Sequence, residues 1–326
     1  MSVLRDMGCN VPSRIVSNFD PFYNPQKIEG MIIGNDLDSL LSASFLKTKF
    51  GWDIVGVYDY KTLSFSDKVG DFHNKLLEGK YIAVDLDIYH PCIFSIGHHI
   101  IGSSCQDCLE GHSNSLNPNL LRGIYLQNYR RKYPLSTIHF LLWLFESEAG
   151  LDIKTRSLVW LADSSYVNGQ RHRFRSNVHE WVMNFFRSQA FLDSFELIDT
   201  YKFEYLLSDW LFPLLEGTGL NISRGQVRSY HLGLSGYQCQ WTSTENERDC
   251  IIAMLELIEH ITGWHAPTFP RKFIEIKGVR RGIVLSDIFE DSTNLDSFLL
   301  KTMCFRLYFP HQKQLIIQQE LNYYPD

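Results

Sequence analysis

Residues 30–43 of the chain read GMIIGNDLDSLLSA, and this stretch decides the predicted fold class. The apolar run at 31–34 predicts a strand, and the residues from 39 to 50 predict the helix that follows it. The alternation continues with strands predicted at 53–59 and 81–87 and a helix predicted at 67–77 between them. Short apolar strands that alternate with helices are typical of an α/β fold, with a parallel sheet and helices on both faces. Such sheets bind ligands at the carboxyl ends of their strands.

The length of 326 residues predicts two compact units, because a single small domain is shorter. A polar composition with three prolines predicts an irregular N-terminal arm at 1–29. We then predict an α/β domain at 30–190, a helical linker at 191–220 and a smaller α+β domain at 221–326.

The remaining elements follow from hydrophobic periodicity and turn residues. Further helices are predicted at 135–149, 155–166, 177–190 and 247–262, and further strands at 225–241, 305–310 and 314–321. Residues 272–285 predict a hairpin that turns at Lys277 and Gly278. The turn-rich residues 102–119 are predicted to be too polar for the core.

Composition excludes several classes of protein. The formal net charge of −6 and the pI near 6.1 exclude a surface that binds phosphate groups throughout, so any nucleic-acid contact is expected to be local. No stretch reaches the roughly 18 apolar residues of a membrane helix, and the N-terminus lacks a signal-peptide pattern. Seven dispersed cysteines are untypical of a disulfide framework. We therefore expect a cytoplasmic protein with reduced thiols and no membrane contact.

Two acids follow the first predicted strand, Asp36 and Asp38. Carboxylates at positions i and i+2 of an extended turn can face the same crevice, and their oxygens are the ligands that hard divalent cations prefer. An alternative is that one of the two acids caps the helix that begins at Ser39. The residues alone leave both interpretations open.

Other chemically active residues follow later apolar stretches in the same way. Asp85 and Asp87 end the strand predicted at 81–87, and the pair His98 and His99 follows another short apolar stretch. The carboxyl ends of parallel strands meet at one edge of a sheet, so we expect these side chains to converge. Asp163 ends a further apolar run and is a fourth candidate carboxylate.

The order and spacing of these residues resemble the DHH phosphoesterase superfamily over about residues 30–185. The matching motifs are Asp36-Leu-Asp38-Ser39 with Ser42, Asp85 with Asp87 as an alternative register, Gly97-His98-His99, Asn117-Pro-Asn119 followed by Tyr133-Pro134, and Asp163. The chain departs from the family pattern at two places. Gly97 replaces the acid of the third motif, and the His or Asp expected just before the first motif is absent, since Ile32 and Gly34 stand there.

The resemblance implies a phosphodiesterase or nuclease that uses two Mn²⁺ or Mg²⁺ ions on single-stranded or short nucleic acid or on nucleotides. It implies metal ligands at Asp36, Asp38, Asp85 or Asp87, His98 and Asp163. A histidine ligand favours Mn²⁺, since Mg²⁺ prefers oxygen. His99 would stabilise charge on the phosphoryl oxygens or protonate the leaving group, so that His98, His99 and Asp38 are the candidate catalytic residues. The departures favour an alternative, a degenerate member that binds a nucleotide or a partner protein without hydrolysis.

Two weaker groups of residues remain. Cys105, Cys108 and His112 form part of a Zn²⁺ ligand pattern, although a structural zinc site needs four ligands. Basic residues cluster at Arg130 and Arg131 and again at Arg171, Arg173 and Arg175, around Phe174, where they could bind phosphates while the ring stacks on a base. Solvated turns are the alternative interpretation. A homodimer or a partner protein is also left open.

Overall fold

In the computed structural model of the chain, the described residues are 11–59, 62–105, 109–165, 175–197, 200–219, 246–284, 304–311 and 314–319. The chain divides into two compact units. The first comprises Met1–Gly34, Trp52–Lys132 and Phe269–Asp326, and the second comprises Asn35–Gly51 and Tyr133–Thr268. Among the described residues, no helix is both long enough and apolar enough to cross a membrane.

The described strands are β1 (Gly30–Ile33), β2 (Ile54–Tyr58), β3 (Thr62–Ser66), β4 (Tyr81–Val84), β5 (Phe94–Ile96), β6 (Ser115–Leu116), β7 (Phe273–Lys277), β8 (Val279–Val284), β9 (Cys304–His311) and β10 (Gln314–Gln319). The described α-helices are α1 (Val11–Asn18), α2 (Asp20–Tyr23), α3 (Leu37–Phe50), α4 (Phe72–Leu77), α5 (Pro118–Arg122), α6 (Thr137–Leu144), α7 (Ile153–Leu161), α8 (Arg175–Glu180), α9 (Gln189–Leu197), α10 (Thr200–Leu206), α11 (Phe212–Gly217) and α12 (Arg248–Thr262).

The first unit is built on a seven-stranded sheet with the strand order β6-β5-β4-β1-β2-β3-β7. Its strands from β6 to β2 are parallel, whereas β3 and β7 are antiparallel to their neighbours. Every residue of the central strands β1 and β4 is buried, as the continuous apolar runs predict for parallel strands covered on both faces. The predicted α/β class with a mostly parallel sheet is confirmed.

Aromatic and aliphatic side chains form the core on one side of this sheet. Phe65 of β3 stacks on Phe72 of α4 with ring centroids 4.2 Å apart, and Tyr81 of β4 stacks on Phe72 at 5.4 Å. Burying side chains of this size contributes about 2–3 kcal/mol each relative to exposure in water. The short helix α4 is therefore held by its aromatic contacts with the sheet.

The structure differs from the sequence prediction at several elements of the first unit. Helices α1 and α2 occupy residues predicted to be irregular, and they bury Ile15 and Phe22. Strand β3 was not predicted, because only two of its five residues, Leu63 and Phe65, are large and apolar. Residues 102–119 include buried side chains, among them Asn117 and Asn119, because their polar atoms form hydrogen bonds within the fold.

The predicted hairpin at Lys277 and Gly278 is wrong. β7 pairs with β3 at the edge of the seven-stranded sheet, whereas β8 pairs with β10 in a separate three-stranded sheet of the order β8-β10-β9. β7 and β8 are adjacent in sequence, and both were correctly predicted to be strands. Their pairing, however, depends on which neighbouring strand each of them contacts in the fold. The strand predicted at 225–241 lies outside the described residues, and the smaller α+β domain stays a prediction.

In the second unit, the described residues form helices. α3 is capped by Asp36 at its N-terminus and by Gly51 at its C-terminus, where a left-handed φ of 80° suits a residue without Cβ. All residues of α6 are buried, and Trp143 of this helix stacks on Phe186 with ring centroids 4.6 Å apart. The helices predicted at 135–149 and 155–166 correspond to α6 and α7, and the helix predicted at 177–190 corresponds to α8 together with the π-helix Trp181–Phe186 that follows it.

Candidate metal-binding site

The parallel strands of the first unit end at one common level. Ile33 of β1 is opposite Val84 of β4, Val84 is opposite Ile96 of β5, and Ile96 is opposite Leu116 of β6. The next residue in each of the last three strands is Asp85, Gly97 and Asn117. This register brings Asp85 and Asn117, which are far apart in sequence, to one edge of the sheet on either side of Gly97, as the parallel topology predicts.

Asp85 and His98 form a pair at this edge. Nδ1 of His98 lies 3.3 Å from Oδ1 of Asp85, and both side chains are largely buried. Asp85 has a φ of 59°, a left-handed conformation that Asp adopts at lower cost than most residues. The carboxylate turns back toward the loop that follows β5 and reaches the imidazole there. Asp85 and His98 are thus together, as the sequence predicts.

Asp87 is completely buried and accepts hydrogen bonds from two residues. The backbone N–H of His99 donates to Oδ2 at 3.1 Å, Nδ1 of His99 lies 3.1 Å from the same oxygen, and Nδ2 of Asn117 donates to Oδ1 at 2.8 Å. Burial raises the pKa of Asp87, but the hydrogen bond and charge of His99, the charge of His98 and the bond from Asn117 outweigh it, so that the net pKa is lowered. Asp87 is therefore held as a carboxylate.

Two asparagines hold the loop that carries the histidine pair. Asn117 donates to the carbonyl of His99 at 2.9 Å, and Asn119 donates to the carbonyl of His98 at 2.8 Å. Oδ1 of Asn117 accepts the N–H groups of Asn119 and Leu120 and so caps α5. The two rings of the pair stack with centroids 4.4 Å apart. The sequence signal for this role is the Asn-Pro-Asn stretch, which was noted only through the family resemblance.

Replacing Asn117 by Ala is expected to lower the free energy of unfolding by about 3 kcal/mol, because its removal leaves a buried carboxylate, a carbonyl and two N–H groups without this partner. Asn114→Ala is the matched control, since Asn114 is only partly buried and its solvent-exposed side-chain bond goes to the carbonyl of Pro91 at 2.6 Å. We expect that control to cost about 1 kcal/mol or less. Urea denaturation followed by tryptophan fluorescence measures both changes, and equal losses in the two variants would contradict the role of Asn117.

Asp36 caps the first helix of the second unit. Its Oδ1 accepts the backbone N–H of Ser39 at 3.1 Å and the hydroxyl of Ser39 at 2.9 Å, and the residue is almost fully buried. The capping alternative that the sequence left open is therefore confirmed for Asp36. A carboxylate has two oxygens with about four lone-pair sites, so capping and metal ligation are compatible.

Asp38 has a different environment, although it lies only two residues further along. Its Oδ2 accepts the N–H of Thr137 at 2.7 Å and its Oδ1 accepts the N–H of Ile138 at 2.9 Å. These are the first two residues of α6, so the carboxylate lies at the positive end of that helix. The side chain is 0% exposed, which means that the helix N-terminus replaces water as its hydrogen-bond donor.

Asp163 lies beside Asp38 in the second unit. An oxygen of each carboxylate is within 4.8 Å of an oxygen of the other. The charges of both carboxylates also act on Tyr133. Burial raises the pKa of this tyrosine well above its usual value, and the negative charges of Asp38 and Asp163 raise that pKa further. Asp163 also has a left-handed backbone, with a φ of 51°. The structure therefore brings together two of the carboxylates that the sequence singled out, although 125 residues separate them.

The weaker sequence candidates have less structural support. His112 is buried with Nδ1 at 3.1 Å from the Ser115 hydroxyl, Cys105 is an exposed free thiol, and Cys108 lies outside the described residues. The zinc pattern therefore stays a prediction. Arg130, Arg131 and Arg175 are exposed. Arg171, Arg173 and Phe174 lie outside the described residues.

Comparison of the chain with protein-family models, with curated proteins and with solved structures found no match. The resemblance to the DHH phosphoesterase superfamily thus rests on the residues themselves and stays a prediction.

Proposed function

We propose that this protein is a divalent-metal-dependent phosphodiesterase or nuclease that hydrolyses phosphoester bonds in single-stranded or short nucleic acid or in nucleotides. The residues proposed as metal ligands are Asp36, Asp38, Asp85, His98 and Asp163. In this proposal, Arg130, Arg131 and Arg175 contact the phosphates of the substrate.

The observation that carries the proposal is the proximity of Asp38 and Asp163. Two carboxylates within 4.8 Å in a largely buried place repel each other, because little water screens their charges. A protein stabilises such a pair by sharing a proton or by binding a cation. Asp38 already accepts two N–H groups of α6, and these bonds favour its ionised form. A bound divalent cation is the arrangement that compensates both negative charges.

The donor set fits Mn²⁺. Carboxylate oxygens suit Mg²⁺ and Mn²⁺ alike, whereas an imidazole nitrogen favours the transition metal. His98, paired with Asp85 at 3.3 Å, supplies that nitrogen in the first unit. When bound at such sites, divalent ions polarise phosphoryl oxygens and stabilise the attacking and leaving oxygens of an in-line displacement.

Backbone strain supports the functional assignment of two of these acids. Asp85 and Asp163 have φ values of 59° and 51°, in a left-handed region that costs aspartate less than most residues but is uncommon outside glycine. Strained backbone conformations concentrate at functional sites, where the side chain must point in one particular direction. Both acids follow a buried apolar segment, and their left-handed backbone conformation changes the direction of the chain at that point.

The full chain is expected to release nucleotide from short DNA or RNA oligonucleotides, or from a dinucleotide, when Mn²⁺ is present. Chelation of the metal by EDTA should return the rate to the background, and added Mn²⁺ should restore it. The assay uses a panel of these substrates and separates products by ion-exchange chromatography. Full activity after exhaustive chelation would contradict a metal-dependent mechanism.

The same panel tests the alternative function. A degenerate member would release no product with Mn²⁺ but would show a saturable rise of melting temperature with a nucleotide or a phosphate ligand. That outcome would replace hydrolysis by ligand binding as the function of the protein.

A further inference from the structure

Gly97 leaves room for a carboxylate from another part of the chain. A Cβ atom built at Gly97 would lie 2.7 Å from Oδ2 of Asp87 and closer still to Oδ1 and Cγ. Real Cβ atoms essentially never approach other atoms so closely, and the obstacle is the head group of a completely buried side chain. The space that a side chain at position 97 would fill is therefore occupied by the carboxylate of Asp87.

The hydrogen bonds of Asp87 determine which nitrogen of His99 carries the proton. Both oxygens of Asp87 face donors, the backbone N–H of His99 at Oδ2 and Nδ2 of Asn117 at Oδ1, so the carboxylate acts as an acceptor on both sides. Nδ1 of His99, 3.1 Å from Oδ2, must then be the donor. The neutral ring consequently carries its proton on Nδ1 and its lone pair on Nε2.

We propose that Asp87 is a positioning residue that holds His99 as the Nδ1-protonated tautomer, and that position 97 is glycine because this carboxylate fills the space beside it. Of the two acids that follow β4, Asp85 then pairs with the metal-ligand candidate His98, and Asp87 orients the second histidine of the pair. The orientation of His99 follows from contacts within the first unit alone. Its use rests on the proposed function: Nε2 takes up a proton from solvent, and the resulting imidazolium can donate that proton to a phosphoryl oxygen or to the leaving group while Nδ1–H stays bonded to Asp87.

Asn117 fixes the position of the Asp87 carboxylate. It donates to Oδ1 of Asp87, and it cannot reverse its amide without losing the two N–H groups of α5 that its own oxygen accepts. Asp87 is thereby held between Asn117 on one side and His99 on the other. The acid that orients the histidine is thus contributed by the end of β4 and not by the position before the histidine pair.

The tautomer is measurable by NMR of the full chain labelled with ¹⁵N at its 12 histidines. At pH about 8, well above the ordinary imidazole pKa of about 6.5, two-bond ¹⁵N–¹H correlations distinguish the two neutral tautomers. His99→Gln identifies the signals of His99. We expect the Nδ1-protonated pattern in the wild-type protein and a shift toward the Nε2-protonated pattern in Asp87→Ala. An Nε2-protonated wild type, or an unchanged pattern in a folded Asp87→Ala variant, would overturn the proposal.

Gly97→Ala gives a second route to the same conclusion. It should displace the Asp87 carboxylate, shift His99 toward the Nε2-protonated pattern and lower the melting temperature by roughly 3–6 °C. In the Asp87→Ala background the carboxylate that obstructs a Cβ at position 97 is absent. Gly97→Ala should therefore lower the melting temperature by less than about 1 °C. Gly70→Ala is the matched control, because a Cβ there meets nothing within 4 Å, and it should change neither quantity. Equal losses from Gly97→Ala in both backgrounds would show that Asp87 is not the obstacle.

The outcomes separate this inference from the proposed function. If the spectra behave as expected while no substrate is cleaved, the orientation of His99 by Asp87 stands and phosphoester hydrolysis is wrong. If the enzyme is active but His99 keeps its tautomer in both variants, hydrolysis stands and the positioning role of Asp87 is wrong.

Discussion

Replacing Asp163 by Asn is expected to reduce Mn²⁺-dependent cleavage by about 10³-fold, equivalent to about 4 kcal/mol of transition-state stabilisation. The substitution keeps the size of the side chain, and asparagine tolerates the left-handed backbone of this position. It removes one of the two negative charges that lie within 4.8 Å of each other. The reaction rate at saturating Mn²⁺ and oligonucleotide is the measurement.

The stability of the metal-free protein distinguishes a metal ligand from a structural residue at position 163. Loss of the repulsion between Asp38 and Asp163 should leave the free energy of unfolding unchanged or raise it by about 1 kcal/mol. Added Mn²⁺ should raise the melting temperature of the wild type but not that of the variant. A variant that loses activity together with metal-free stability would point to a structural role instead.

Asp71→Asn is the matched control for this experiment. Asp71 has nearly the same backbone conformation, with a φ of 54°, but it is exposed at the start of α4. We expect it to retain wild-type activity and wild-type response to Mn²⁺. If both variants lost activity equally, the effect would belong to the backbone conformation and not to the site.

Replacing Asp38 by Ala should remove both activity and a large part of the stability. The N–H groups of Thr137 and Ile138 lose a charged acceptor at the buried start of α6, which costs about 3 kcal/mol. Cleavage should fall to the metal-free background, because a proposed ligand is lost. Denaturant titration and the oligonucleotide assay measure the two effects.

Asp152→Ala controls for the loss of a helix cap. Asp152 is the N-cap of α7 and accepts the N–H of Thr155 at 2.7 Å, but it is not among the proposed ligands. Its replacement should cost about 1 kcal/mol and leave cleavage unchanged. Full Mn²⁺-dependent turnover by Asp38→Ala would remove Asp38 from the site.

The sequence predicted a substantial part of the candidate site. Asp36 and Asp38 were predicted where a strand gives way to a helix, and Asp36 is the N-cap of α3 while Asp38 lies in its first turn. Asp85 was expected near the histidine pair, and it lies 3.3 Å from His98. These predictions succeed because each depends on a local pattern, an apolar strand followed by a polar residue, combined with the single assumption that the strands are parallel.

The role of Asp87 could not be predicted in the same way. In the sequence it was an alternative to Asp85, since both acids end the same apolar run. Which of them reaches which histidine depends on side-chain direction at the end of β4 and on the loop after β5, where Asn117 and Asn119 are hydrogen-bonded. The missing acid at Gly97 suggested a degenerate site, whereas the structure places the carboxylate of Asp87 in that space.

By itself, the sequence determined the α/β class, the order of the principal strands and helices, and the residues that carry charge at the ends of strands. These properties are read from neighbouring residues, because hydrophobic periodicity and turn residues act over a few positions. Only the tertiary structure decided that Asp38 caps a helix 99 residues away, that β7 and β8 join different sheets, and that Asp87 lies against Gly97. Such contacts depend on strand register and on the path of the chain, which local patterns do not encode.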